Sequence, residues 1–179
     1  LKGIVFNILE EVVTAEYGDA AWDRLLDEAG LDGAYTSLGS YSDDEIFALV
    51  NVAAAHLGLQ PGEVLRWFGR RAMPLLAKRY PAFFNGHANT RSFLLTLNNI
   101  IHPEVRKLYP GANPPVFDFD TSASDTLVIG YNSPRRLCAL AEGFMQGAAD
   151  YFSEQADIVQ SQCMHHDSSK CVFHVRFHR

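Results

Sequence analysis

An imidazole and a set of hydrogen-bond donors stand at a spacing that suits one kind of ligand. His102 closes an uncharged run, Ser92-Phe-Leu-Leu-Thr-Leu-Asn-Asn-Ile-Ile-His102. Twenty-nine residues later comes the triplet Tyr131, Ser133 and Arg135, inside Gly130-Tyr-Asn-Ser-Pro-Arg-Arg136. The preceding Thr126-Leu-Val-Ile129 reads as a short apolar strand rich in β-branched residues. Extended backbone continued through 135 places the three side chains on one face, because strand side chains alternate with period 2. Pro134 lacks an amide hydrogen, so this stretch is a sheet edge or a strand leaving its sheet. A phenol, a hydroxyl and a guanidinium together suit a carboxylate or a phosphate. An imidazole in apolar surroundings plus an anion clamp elsewhere meets the needs of haem. Its iron takes an axial ligand, its ring wants apolar walls and its propionates want donors. Each feature alone has a plainer reading. A histidine near a helix end is usually a cap or a satisfied core residue, and an arginine at a strand end is usually a solvated charge.

The elements that must position these residues are legible in outline. Lys2 to about Ala15 is amphipathic, with Val5, Leu9, Val12 and Val13 on one face. Ala20 to Ala29 follows and stops at Gly30. Ser42-Asp-Asp-Glu45 has the form of a capping box, and its helix runs to Gly58. Pro61 opens the next helix at its first position. That helix carries Leu65, Phe68, Ala72 and Leu76, with Pro74 as an expected kink. Ser92 to Ile101 is the helix bearing His102. Val116–Phe119 and Leu127–Tyr131 read as strands. Leu137 to Phe152 is helical, with Leu140, Phe144 and Ala148 on one stripe. Ile158–His165 and Cys171–Phe177 alternate around Asp167-Ser-Ser169 as a hairpin. The expected fold is α+β: a helical lobe followed by a small antiparallel sheet with a helix packed on it, and haem between the two.

Composition narrows the function classes. The chain has 179 residues, enough for one domain over 1–179 with a sizeable core. Hydrophobic residues make up 47% and charged residues 20%, as in ordinary globular proteins. A net charge of −6 argues against nucleic acid as partner, since phosphate binding relies on clustered Lys and Arg. No apolar run approaches the roughly 20 residues of a membrane span. Ile4–Leu9 is too short for a signal peptide and runs into Glu10 and Glu11. An odd number of cysteines, three, fits a reducing compartment, so the expected location is the cytoplasm.

The Tyr-x-Ser-x-Arg triplet, the upstream His102 followed by Pro103, the Pro114-Pro115 pair and the start Lys2-Gly3-Ile4 resemble the haem-nitric oxide/oxygen binding (H-NOX) domain. That family includes the haem domain of soluble guanylate cyclase and bacterial stand-alone gas sensors. The resemblance runs from residue 2 to roughly the end of the chain. It implies haem b, with His102 as the proximal iron ligand and Tyr131, Ser133 and Arg135 on the propionates. It also implies a pocket of Val5, Leu9, Ala72, Leu76, Pro115, Leu140 and Phe144, with Pro115 pressing the porphyrin out of plane. Dioxygen-binding members carry a tyrosine five residues past the motif arginine, where this chain has Leu140. Losing one charge-assisted hydrogen bond to bound dioxygen costs roughly 1.5–3 kcal/mol, about tenfold to over a hundredfold in affinity. Nitric oxide and carbon monoxide need no such donor. The resemblance therefore implies a nitric oxide sensor that excludes dioxygen and signals by release of His102. No kinase or cyclase signature is present, so the output falls to a separate partner, a histidine kinase or a cyclic-di-GMP enzyme.

Cys163 and Cys171 are symmetric about Asp167 and are expected to face each other across the hairpin. With Cys138 they make most of a structural zinc site. Some stand-alone family members complete it with a histidine three residues before the middle cysteine. Gln160 stands there instead, and His165 is the substitute candidate. The alternatives are three plain thiols or a thiol switch. Two other functions compete with gas sensing. A haem peroxidase or nitric oxide dioxygenase needs distal acid–base residues, which Val5, Leu9, Leu140 and Phe144 do not supply. A zinc-dependent redox sensor would leave the haem site vestigial.

Overall fold

The computed structural model describes residues 1–179. Helix α1 (Gly3–Tyr17) starts tight against the loop before α3. The Gly3 amide donates to the Gly39 carbonyl at 2.9 Å, and a Cβ on Gly3 would lie 1.8 Å from the Thr36 carbonyl oxygen. Only glycine fits that approach. Helix α2 (Asp19–Ala29) stops at Gly30, which takes the left-handed conformation at φ 68°. Helix α3 (Asp43–Leu57) is capped by Ser42, but not as a capping box. Ser42 Oγ accepts from the Asp44 amide, and the Glu45 carboxylate accepts from Tyr35 Oη at 2.7 Å instead of reaching back. Helix α4 (Pro61–Arg79) does have the reciprocal cap: Glu63 accepts from the Gln60 amide at 2.8 Å. Pro74 lies inside α4, which runs unbroken past it.

The expected helix from Ser92 to Ile101 is two pieces, with a third beginning at His102. After α5 (Pro81–Phe84) come α6 (Thr90–Leu94) and a π-helical turn (Leu97–Ile101). Helix α7 (His102–Leu108) follows. His102 thus opens a helix instead of closing one. Its amide donates to Leu97 five residues back, so one surplus residue is accommodated just before it. Such turns concentrate at functional positions.

Strands β1 (Val116–Asp120), β2 (Leu127–Asn132), β3 (Gln155–Gln162) and β4 (Cys171–His178) form one antiparallel sheet in the order β1-β2-β4-β3. Helix α8 (Cys138–Tyr151) lies between this sheet and α4. Glycines bring α4 and α8 together. A Cβ on Gly143 would sit 2.2 Å from the Arg66 carbonyl oxygen, one on Gly69 2.5 Å from that of Leu140, and one on Gly147 2.6 Å from that of Arg70. Gly143→Ala must therefore push the helices apart. The expected cost is about 1–3 kcal/mol of stability, the range for overpacking, read as a lowered Tm; an unchanged Tm would mean the crossing is loose.

Two apolar clusters result. Phe6, Ile46, Leu49 and Phe68 centre the helical lobe, and Leu127, Ile129, Phe173 and Val175 centre the sheet under α8. No helix is long and apolar enough to cross a membrane. The hairpin departs from expectation. The ladder ends at Gln162 after an irregularity, so Cys163 lies outside it, and Met164–His166 form a 3₁₀ turn. Cys171 pairs with Tyr131 of β2 on one side, and on the other the Gln162–Val172 pair leaves Cys163 next in register with it.

Candidate cofactor-binding site

Between the lobes lies a cavity of about 680 Å³, lined mostly by apolar side chains. That size is typical of a small-molecule or cofactor site. Helix α4 contributes Phe68, Ala72 and Leu76, and α8 contributes Leu140 and Phe144. Helix α1 contributes Ile4, Val5 and Ile8. Leu9 is a correction: it is buried in the helical-lobe core and does not line the cavity. At about 100° per residue, the wall falls on the Ile4–Ile8 side of Val5, and Leu9 turns inward between helices. Pro115 lines the cavity.

His102 reaches the cavity from the start of α7 and is 8% exposed. Burial, reinforced by the Arg106 charge, lowers its pKa to about 4. The Pro115 carbonyl beside the ring acts as an acceptor and pulls the other way. The ring is therefore neutral at physiological pH. A neutral imidazole with one nitrogen held by a backbone carbonyl has its other lone pair free for a metal. Phe117 lies alongside, its ring centroid 5.8 Å from that of His102.

Tyr131, Ser133 and Arg135 all line the cavity, but not through continued strand geometry. The ladder stops at Asn132, and the chain turns: the Arg136 amide donates to the Ser133 carbonyl and Arg136 takes φ 53°. Local bonds set the protons of the triplet. The Leu137 amide donates to Tyr131 Oη at 3.0 Å, which leaves the phenol proton to be donated elsewhere. The Arg135 amide donates to Ser133 Oγ at 3.3 Å, with the same effect on that hydroxyl. Burial raises the Tyr131 pKa, while Ser133 and the Leu137 amide oppose it. Arg135 donates through Nε to Asp43 at 3.0 Å and through a terminal nitrogen to the Asn113 carbonyl at 2.6 Å. Its other guanidinium donors remain. The triplet is a set of donors whose acceptor positions are taken by backbone, which is what an anion requires. Asp43 and Asn113 escaped the sequence reading because they lie 92 and 22 residues from Arg135, beyond any local pattern.

This donor set, the neutral buried imidazole and the apolar walls fit haem. A family model described as Haem-NO-binding matches residues 2–160.

This chain belongs to the H-NOX family.

Solved H-NOX structures agree throughout the chain. The H-NOX protein from S. oneidensis in the Fe(II)NO ligation state is similar at 32% identity and TM-score 0.94, with 100% of each chain covered. An NMR structure of the H-NOX domain from Shewanella oneidensis in the Fe(II)CO ligation state is 32% identical at TM-score 0.90, over 100% of this chain and 99% of that one. An Fe(II) unliganded H-NOX mutant from K. algicida is 25% identical at TM-score 0.88, over 100% and 97%. H-NOX domains bind haem and sense gases, and they are sensors, not enzymes.

Below the cavity of this H-NOX chain, the three cysteine sulfurs lie within 4.8 Å of one another. Cys138 and Cys163 are 4.0 Å apart, and Cys171 accepts from the Met164 amide at 3.2 Å. Burial and the neighbouring thiols push Cys138 up to about 12. His165 is the second correction. It rides the 3₁₀ turn with its Nε2 2.8 Å from the Arg136 carbonyl oxygen, outside the sulfur cluster.

Proposed function

We propose that this chain is a haem b-containing nitric oxide sensor that does not hold dioxygen and that signals to a partner protein. The observation that carries the selectivity is the wall made by Val5, Ala72, Leu140 and Phe144, four side chains without a hydrogen-bond donor. Tyr80 and Tyr109 also line the cavity outside this wall; their phenols bond each other, which engages one of the two protons. Tyr17 is about half exposed and lies outside the cavity. Bound dioxygen needs a donor that nitric oxide and carbon monoxide do not. The S. oneidensis structures in Fe(II)NO and Fe(II)CO states support the same ligands here.

His102 would hold the iron, with Tyr131, Ser133 and Arg135 on the propionates and Pro115 pressing on the ring plane. When bound, haem would supply ferrous iron chemistry toward nitric oxide, with His102 as the residue whose hold on the metal is at stake. The protein's part is to let His102 move usefully. Pro115 bears on both the cavity and the His102 ring, so its hold on the two is one device. Asn98, in the π turn, bonds both polar backbone groups of Phe117 in β1. Displacement of the turn and α7 therefore draws the sheet edge with it. The signal is allosteric when a partner binds the two arrangements with different affinity. By the resemblance, that partner is a histidine kinase or a cyclic-di-GMP enzyme.

Absorption spectroscopy of the reduced protein tests this reading. The ferrous spectrum is expected to persist on mixing with air and to change at once with nitric oxide or carbon monoxide. A stable new spectrum formed in air overturns the selectivity.

We also propose zinc at Cys138, Cys163 and Cys171, with the fourth position outside the cysteine cluster. Three thiols this close are mutually repelling as thiolates until a cation joins them. Elemental analysis of protein purified without added metal is expected to find about one zinc per chain. Substoichiometric zinc in reduced protein would leave three plain thiols.

A further inference from the structure

Lys2 is among the few charged residues buried in this protein, at 9% exposed, and it lines the cavity. Its ammonium donates to the Leu38 carbonyl at 2.6 Å, Ser40 Oγ at 2.9 Å and the Pro110 carbonyl at 3.0 Å. None of these partners is charged. A buried cation is costly unless a counter-charge meets it. Arg135 is strung between the same two segments, through Asp43 on one and Asn113 on the other. Asp43 is the carboxylate the protein supplies there, and it is engaged by Arg135. Two side-chain cations thus flank one end of the cavity against a single carboxylate.

We infer that Lys2 forms a further anion contact at this end of the cavity, meeting a carboxylate of a dicarboxylate porphyrin beside the hold of Arg135, Tyr131 and Ser133. The inference rests on the reading of the cavity as a haem site. The ammonium's protons are already oriented by neutral acceptors, so it meets an incoming carboxylate as a pre-formed charge. Shared bonds to Ser40 or a carbonyl yield to the stronger charge-assisted partner. The rival role for Lys2 is a tie that fastens the chain before α1 to the 38–40 and 110 segments. That role needs the three hydrogen bonds but no ligand charge.

Haem-loss rates with two probes separate these roles: protohaem, which has both carboxylates, and its dimethyl ester, which has neither. Lys2→Met is expected to speed loss of protohaem about tenfold, the weight of one charge-assisted contact, and to leave loss of the dimethyl ester unchanged. Lys2→Arg should retain protohaem like the parent. Equal acceleration with both probes, or no acceleration with either, overturns the inference. Lys2→Gln keeps donors for the carbonyls without the charge, and it carries the same expectation if Lys2→Met does not fold. Selective protohaem loss in Arg135→Ala with silent Lys2 variants would leave the haem reading standing and remove Lys2 from it. A parent that holds both probes equally, with Arg135→Ala silent as well, would instead bring down the haem reading.

Discussion

Replacing His102 with glycine should leave a protein that holds haem in its parental coordination only when imidazole is added. The native ring is buried, neutral and placed against the Pro115 carbonyl, its pKa lowered to about 4. No proton must leave before it can ligate a metal. Removing it opens a ring-sized space beside Phe117 that free imidazole can enter. Glycine also loosens the first turn of α7, at a cost of about 1 kcal/mol relative to alanine, while the following Pro103 keeps that turn started. The ferrous absorption spectrum should shift without imidazole and return with it. An unchanged spectrum in its absence would mean that another side chain holds the iron.

Arg135→Ala should lower haem retention by about tenfold to a hundredfold, because losing a charge-assisted hydrogen bond costs about 1.5–3 kcal/mol. Two changes coincide: the propionate loses its cation, and the partly exposed Asp43 is left with the Leu1 ammonium alone. Tyr131→Phe should cost less in haem affinity, about 0.5–1.5 kcal/mol for one neutral bond. It orphans the buried Leu137 amide, so its main effect should fall on the Tm. Haem transfer to an excess of acceptor protein measures the first effect, and thermal melting of haem-free protein the second. An arginine variant that keeps haem as tightly as the parent would sink the clamp.

The triplet shows how far local pattern reaches. Period-2 alternation selected three residues that do line one cavity, yet the strand ends at Asn132 and a turn does the gathering. The common destination was legible; the backbone path was not, since a left-handed Arg136 leaves no mark in composition. Val5 and Leu9 share a helical stripe, and periodicity alone cannot say where core gives way to cavity along it. The cysteines were legible as a group because three thiols are few. The hairpin geometry assigned to them holds in register but not in pairing: the shift between Gln160 and Gln162 aligns Cys163 with Cys171, and the ladder ends one pair short of them. Ser42 and Glu45 had the spacing of a reciprocal cap, but Tyr35 offered Glu45 a tertiary bond that no four-residue motif encodes. Lys2 and its partners lie up to 108 residues apart, and only the fold brings them together.

The π turn before His102 makes the direction of one side chain a matter of counting. Deleting one residue from Leu97 to Ile101 would let the turn relax to α-helix with the downstream helix near its present phase, because the turn already absorbs the surplus residue. A residue added to the regular helix beyond it has no such slack and would swing the following side chains by about 100°. Substitutions that respect apolarity leave this phase intact, and so does a single-residue gap inside the turn. Between relatives, equivalence across this stretch is therefore a property of helical phase, and the histidine's neighbours should be matched by angle about the axis before they are matched by identity.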